Sequence, residues 1–309
     1  MKVAHSKERT PIAPDAAIAE VLSGVSSTNL RAFVEMLAFP RSYDVERRAN
    51  RKARDLLLRK MRSFGYQPFL QGSYDNVVAT SSDPQDGPLI LLGAHYDSVP
   101  GSPGADDNAS AVAVCLESAR LIKKHRIGSA MIVFFNREED GLLGSSEFVE
   151  HVAAATNWRI KEAHIFEMVG YRDLSPGSQQ MPQGLPVRTR DVGDFLALLA
   201  NSASNAIAED MLGLAACYIP QSIVVALKIY LGIEKMFGHL NRSDHVPFWK
   251  AGIACVMWTD TSEFRNPHYH KASDRPNTLD YEFMSDVTKL ALARVLSHGQ
   301  RRSEASGAE

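Results

Sequence analysis

Short, wholly apolar runs alternate with longer amphipathic stretches along this chain. Leu89-Ile90-Leu91-Leu92-Gly93-Ala94 and Met131-Ile132-Val133-Phe134-Phe135 are continuous apolar runs of strand length, the pattern of strands buried on both faces. Asn76-Val77-Val78-Ala79-Thr80, His164-Ile165-Phe166 and the run at 252–258 read as further strands. Between them, residues 109–125 carry Val112, Cys115, Leu116, Ala119, Leu121 and Ile122 at helical spacing, a stripe that faces a core. Residues 29–37, 45–64 and 281–298 share that periodicity, the second with many Arg and Lys on its polar side, and a further helix begins at Gly144. Gly65-Tyr66-Gln67-Pro68 stops a helix, and the turn-rich stretch at 81–88 separates two strands. Strands alternating with helices predict an α/β fold, a three-layer sandwich whose central mixed, mostly parallel sheet is flanked by helices.

Elsewhere the pattern is weaker. Residues 1–25 read as an N-terminal arm, 26–300 as a single domain, and 301–309 as a polar tail. Residues 172–243 read as an excursion, Pro-, Gly-, Ser- and Gln-rich up to 190, helical at 193–207, and apolar but broken by Pro220 at 211–233. No apolar run approaches the ~20 residues that span a bilayer. The net charge of −2 supplies no field for nucleic acid or an acidic membrane, so neither is expected as a partner. The N-terminus is polar and lacks the apolar core of a signal peptide. Cys115, Cys217 and Cys255 are scattered in apolar contexts, which predicts reduced thiols and a cytoplasmic protein. Removal of a leader would instead make it a secreted one.

Chemistry-bearing residues collect where the apolar runs end. His95-Tyr96-Asp97-Ser98 follows the first run and Asn136-Arg137-Glu138-Glu139-Asp140-Gly141 the second. Ligands of open α/β sheets gather outside the carboxyl ends of strands. His95 and Asp97, at i and i+2, point the same way, so the carboxylate can orient the imidazole, as metal-ligating histidines require. Pro103-Gly104-Ala105-Asp106-Asp107-Asn108 opens the next helix. Asp106 or Asn108 can serve there as a plain N-cap, yet two adjacent carboxylates are costly to bring together unless a cation compensates. Glu138 and Glu139 repeat the pairing, and their diverging side chains allow one to bind a metal while the other acts as a general base. His245, His268 and His270 lie around the last apolar run, near Asp244 and Asp274.

With these motifs in order, the chain resembles the zinc-dependent aminopeptidase family that includes secreted bacterial aminopeptidases, glutaminyl-peptide cyclases and glutamate carboxypeptidases. The resemblance covers roughly residues 30–298 and rests on H-Y-D-S at His95, P-G-A-D-D-N-A-S at Pro103, E-E-D-G-L-L-G-S at Glu138, S-D-H-x-P-F at Ser243 and Y-H-K-A-S-D at Tyr269. It implies a zinc-exopeptidase-like fold and a di-zinc site. His95 would bind one ion and His270, rather than His268, the other, with Asp107 bridging. Glu139 would complete the His270 site. The family's Asp on the following strand is replaced here by Glu167, in Glu167-Met168-Val169-Gly170, and that longer arm is expected to be less sharply positioned. Glu138 would be the general base, Asp97 the orienting partner of His95, and Tyr269 a donor to the tetrahedral oxyanion. Asp244 and Glu167 would serve substrate binding by attracting an α-ammonium. His245 and His268 would stand outside the ligand set.

The expected activity is therefore removal of N-terminal residues from peptides by an activated water, with two Zn²⁺ per chain and Mn²⁺ or Co²⁺ as substitutes. Glutaminyl cyclisation, carboxypeptidase or amidohydrolase action on small amides are the enzymatic alternatives. A catalytically inactive, receptor-like binding domain is the non-enzymatic one. The side-chain pocket is expected among residues 172–243.

Overall fold

The computed structural model describes residues 1–11, 13–83, 87–154 and 158–306. Residues 84–86 of the turn expected at 81–88 and 307–309 of the expected tail lie outside the described residues. In chain order the elements are β1 (Lys2–His5), α1 (Ala16–Ser23), α2 (Ser27–Leu37), α3 (Arg47–Ser63), β2 (Phe69–Gln71), β3 (Asn76–Thr80), β4 (Leu89–His95), α4 (Ala111–Lys124), β5 (Ala130–Phe135), α5 (Leu143–Ala154), β6 (Ile160–Glu167), β7 (Phe195–Ala200), α6 (Asn205–Tyr218), β8 (Ile223–Lys228), α7 (His245–Lys250), β9 (Cys255–Thr259) and α8 (Tyr281–Ser306).

The described strands form one nine-stranded sheet in the order β1-β8-β7-β9-β6-β4-β5-β3-β2. Its centre, β9-β6-β4-β5, is parallel, and antiparallel pairings bring in β7 on one side and β3, then β2, on the other. The apolar runs of β4 and β5 are fully buried because helices cover both faces. On one face α1, α2, α3, α4, α6 and α8 pack around Ile90, Leu92, Ile132, Phe134 and Trp258. On the other, Phe148 and Val149 of α5 and Phe248 and Trp249 of α7 pack on Leu91, Val133, Phe135 and Ile165. This is the three-layer α/β sandwich.

Local sequence explains the helix ends. Asp15 caps α1 by accepting the Ile18 N–H at 3.0 Å, and Ser26 caps α2 from Asn29 at 3.2 Å. In α3 the buried positions Asn50, Ala53, Leu57 and Met61 recur every three or four residues, leaving the Arg-rich face to solvent.

Three expectations change. Residues 1–25 are not a loose arm. Lys2–His5 is an edge strand paired with β8, and α1 packs into the core; a four-residue strand paired with a partner more than 200 residues away leaves no local pattern. The helix expected at 193–207 is β7 followed by the start of α6, because Phe-Leu-Ala-Leu-Leu-Ala is apolar throughout and carries no period. The excursion at 172–243 is not wholly separate from the sheet, since its middle contributes β7 and β8, adjacent parallel strands joined through α6. Residues 172–192 and 229–244 on either side of that unit are loops and short turns. No described helix is long and apolar enough to cross a membrane. No disulfide is formed among the described residues, and Cys115 and Cys255 are buried.

Candidate active site

The carboxyl ends of the parallel strands deliver most of the site. β4 ends on His95 and β6 on Glu167. After β5 the chain turns sharply to present Glu138 and Glu139. Asp107 lies in the irregular turn at Ala105–Ser110 that precedes α4, and His270 comes from the loop between β9 and α8. Arg137, Met168 and His270 have φ of 60°, 49° and 58°. Such left-handed backbone is uncommon in non-glycine residues and clusters at functional sites.

These side chains converge. His95 Nε2 lies 3.3 Å from Asp107 Oδ1 and 3.3 Å from Glu167 Oε2. His270 Nε2 lies 3.1 Å from the other Asp107 oxygen, Oδ2, and 3.4 Å from Glu139 Oε2. Glu138 Oε2 stands farther off, 3.9 Å from His95 Nε2. His95 Nε2, Asp107 Oδ1 and Glu139 Oε1 are buried without a hydrogen-bond partner. Imidazole nitrogens and carboxylate oxygens facing one another in this way, in two groups that share Asp107, fit a pair of divalent cations bound by N and O donors.

A surrounding set of contacts fixes them. Asp97 Oδ1 lies 3.4 Å from His95 Nδ1, and its carboxylate also accepts the backbone N–H groups of Glu138 and Glu139 at 3.2 and 3.3 Å. Ser243 Oγ donates to Glu167 Oε2 at 2.7 Å, so the longer arm is pinned rather than loose. Asp274 accepts the backbone N–H groups of Asp106 and Asp107 at 2.9 and 3.1 Å. Asn108 spans to β6, donating to the Phe166 carbonyl and accepting the Met168 N–H. Beneath the loop from His95 to Asp107, the buried Arg41 guanidinium donates to the carbonyls of Leu37, Phe39, Tyr96, Pro103 and Gly104. Gly104 has φ +57°, and a Cβ there would stand 2.3 Å from the Asp107 carbonyl oxygen.

The electrostatics carry the same message. Burial opposes ionisation of Asp107, but His270 and His95 outweigh it and hold the carboxyl below its ordinary range. Burial lowers the His95 pKa, yet Glu167, Glu138, Asp107 and Asp97 together raise it well above its usual value. His270 is raised to about 10, burial again being outweighed by Asp107 and Glu139. Burial and carboxylate repulsion raise Glu138 well above its usual value, against the pull of His95. Burial and the Asp107 charge raise Glu139 to about 7. Asp97, Asp107, Glu138, Glu139, Glu167 and Asp244 gather around two imidazoles, an excess of acid that bound cations relieve.

Of the residues singled out in the sequence, His95, Asp97, Asp107, Glu138, Glu139, Glu167 and His270 come together here. Tyr269 stacks on His270 with ring centroids 3.7 Å apart, and its hydroxyl accepts from Arg242 at 2.9 Å. Asp244 differs from expectation. At the N-cap of α7 it is fully buried and absent from the cavity wall, and that burial keeps it from facing a substrate in the cavity. His245, in α7, is bonded to the Leu240 carbonyl at 3.0 Å, and His268 to Ser273 at 3.0 Å.

Arg41, Ser243 and Asp274 were not given roles from the sequence. Ser243 and Asp274 lie inside quoted motifs, whereas nothing around Arg41 marks it. Asp106 points away from the histidines, accepting the Gly170 N–H at 2.9 Å and the Asn266 amide at 2.6 Å.

A cavity of about 510 Å³ opens from the site, its wall including Asp107, Glu138, Glu139, Glu167, Tyr269 and His270. Residues from 179–189 and 239–243 contribute to it, as does the sheet face formed by β9, β7, β8 and β1.

A family model described as Peptidase family M28 matches residues 76–215 and 225–295. Among curated proteins, the uncharacterized protein YfbL of Escherichia coli is 36% identical over 234 residues, 71% of this chain and 70% of that protein. Aminopeptidase YwaD of Bacillus subtilis is 31% identical over 212 residues, 67% of this chain but 40% of that protein. Among solved structures, the LapA aminopeptidase of Legionella pneumophila superposes with a TM-score of 0.75 at 21% identity, covering 93% of this chain and 75% of that one. That likeness concerns the fold.

Proposed function

The chain belongs to peptidase family M28, and from that premise we propose that it is a zinc aminopeptidase that releases N-terminal residues from peptides. The observation that carries the reading is Asp107 between two histidines, one oxygen 3.3 Å from His95 and the other 3.1 Å from His270. A carboxylate so shared is suited to bridging two ions. His95 and Glu167 would hold one, His270 and Glu139 the other. The mixed imidazole and carboxylate set suits Zn²⁺, with Mn²⁺ or Co²⁺ as substitutes.

When bound, zinc polarises a carbonyl and lowers the pKa of a water toward ~7. Glu138 stands farther from His95 than Asp107 and Glu167 do, 3.9 against 3.3 Å, at the cavity wall. From there it would take a proton from the attacking water and pass it to the leaving nitrogen. Asp97 holds the His95 ring and the Glu138 and Glu139 backbone in register. Tyr269, at the rim beside His270, would donate to the oxygen that becomes negative as the carbonyl turns tetrahedral. Glu138 and Glu167 face the cavity and would attract the substrate's α-ammonium. The buried thiols of Cys115 and Cys255 accord with a reducing compartment.

The test is metal analysis of purified protein together with turnover of aminoacyl anilides and N-terminal glutaminyl peptides. Near two zinc equivalents and anilide hydrolysis are expected. Cyclisation of glutaminyl peptides with no anilide turnover would replace the reading with the cyclase one. Absence of bound metal and of both activities would leave a binding domain.

A further inference from the structure

Among the described residues, the helices that cover the sheet near the site pack away from its β7-β8-β1 end. On that face α5 and α7 pack beside β5, β6 and β9, while β7 and β8 turn apolar side chains into the cavity. The strand register ties this surface to the catalytic centre. Glu167 is paired with Thr259, Thr259 with Ala197, and Ala197 with Val225. These four residues make one row across the sheet, and all line the cavity. The adjacent row continues it through Met257, Leu199, Leu227 and Val3 of the edge strand.

Neighbouring strands lie ~4.8 Å apart. Val225 is therefore three spacings, roughly 14 Å, from Glu167, and β1 a further spacing away. No coded side chain reaches that far from a scissile carbonyl held at the ions. This sheet face is one side of the cavity of about 510 Å³ that also takes in the catalytic centre. A wall that stays apolar from Ala197 and Leu199 out to Val225, Leu227 and Val3 is suited to a long apolar group.

We propose that this groove is an elongated acyl-side subsite, and that the enzyme acts on N-terminal residues bearing an unbranched apolar chain longer than any coded side chain. The assignment rests on the aminopeptidase reading. An exopeptidase must let the leaving peptide run out to solvent whatever its length, so the walled, apolar side takes the terminal residue. Extended alkyl chains advance about 1.3 Å per methylene, given carbon–carbon bonds of ~1.5 Å, so roughly ten or eleven carbons counted from the scissile carbonyl reach the Val225 region. Each methylene so buried is worth roughly a fourfold gain in binding, from ~0.8 kcal/mol.

The test is a series of anilides of leucine, 2-aminooctanoic acid and 2-aminodecanoic acid, assayed with the zinc-loaded full chain. kcat/KM is expected to rise at least tenfold from leucyl to 2-aminodecanoyl, and Val225→Phe, which fills the far end, should cut that ratio at least tenfold. A kcat/KM that peaks at leucyl, or a preference untouched by Val225→Phe in a folded variant, overturns the proposal. Calorimetric binding of free 2-aminodecanoic acid and of leucine separates the two layers of the argument. If no anilide turns over, the hydrolytic reading fails. The groove is then judged by whether 2-aminodecanoic acid binds at least tenfold more tightly than leucine; equal binding refutes it.

Discussion

Ser243 donates its hydroxyl to Glu167 at 2.7 Å, and the oxygen that accepts it, Oε2, is the one 3.3 Å from His95 Nε2. A glutamate in place of the family's aspartate carries an extra rotatable bond, and this contact removes the freedom that bond brings. Ser243 sits just before α7, far in sequence from β6, so the compensation is tertiary. Ser243→Ala is expected to weaken one of two zinc ions by about 10- to 100-fold, the usual cost of losing a ligand's outer partner. Titration with a competing chelator dye measures it, and two unchanged affinities would deny Ser243 this role.

Asp97 serves three clients at once, the His95 ring and the backbone amides of Glu138 and Glu139. Asp97→Asn replaces one acceptor oxygen with an NH₂ that faces a donor. Both zinc retention and kcat should fall. Loss of activity with full metal content in atomic absorption would restrict Asp97 to the Glu138 side.

Glu138→Gln keeps the shape of the base and removes its proton acceptor. kcat is expected to drop by ~10²–10⁴-fold while bound zinc stays near its wild-type level, because Glu138 stands farther from His95 Nε2, at 3.9 Å, than Asp107 and Glu167 do at 3.3 Å. A variant that retains more than about a tenth of kcat would send the base assignment elsewhere.

Arg41 donates to five carbonyls while fully buried. Its burial lowers the guanidinium pKa, with Asp107 and Asp97 acting to restore it. Arg41→Met strands those oxygens and removes a cation beneath an acidic site. Destabilisation of about 3–5 kcal/mol is expected, seen as a fall of roughly 6 °C or more in melting temperature. Arg41→Lys should not restore it, since an ammonium cannot reproduce the planar fork. A melting temperature within one or two degrees of wild type, on the order of the effect of a surface change, would contradict this account.

His245 is held neutral by burial, its pKa lowered to about 4 despite the Leu240 carbonyl. In the unfolded chain it titrates near ~6.5. The unfolded state therefore binds the extra proton first, and stability is full above ~6.5 and lost as pH falls toward 4. His245→Gln should remove about 3 kcal/mol of that pH dependence, read as the difference between urea unfolding curves of the two proteins from pH 7 to 4. Parallel curves would mean that His245 takes up its proton in the folded protein as readily as in the unfolded chain.

Strand-length apolar runs made β4, β5 and the last parallel strand visible, and with them the ends on which His95 and Glu138 sit. Their legibility has a simple cause: strands buried on both faces must be apolar at every position. The same uniformity hid β7, whose Phe195–Ala200 run is equally compatible with a buried helix. β1 was invisible because four residues paired with β8 carry no period of their own.

The sequence by itself determined the α/β layering, the donors gathered at strand ends and the motif order that marks the family, because each is written in local composition and spacing. Tertiary structure decided which of two neighbouring carboxylates turns to the histidines, since Asp274 fixes the Asp106 and Asp107 amides from more than 160 residues away. It decided too that Asp244 is sealed inside and that Glu167 lines up with Thr259, Ala197 and Val225. Those outcomes depend on strand order and register, which arise only when distant segments pair, and no stretch of chain encodes them alone.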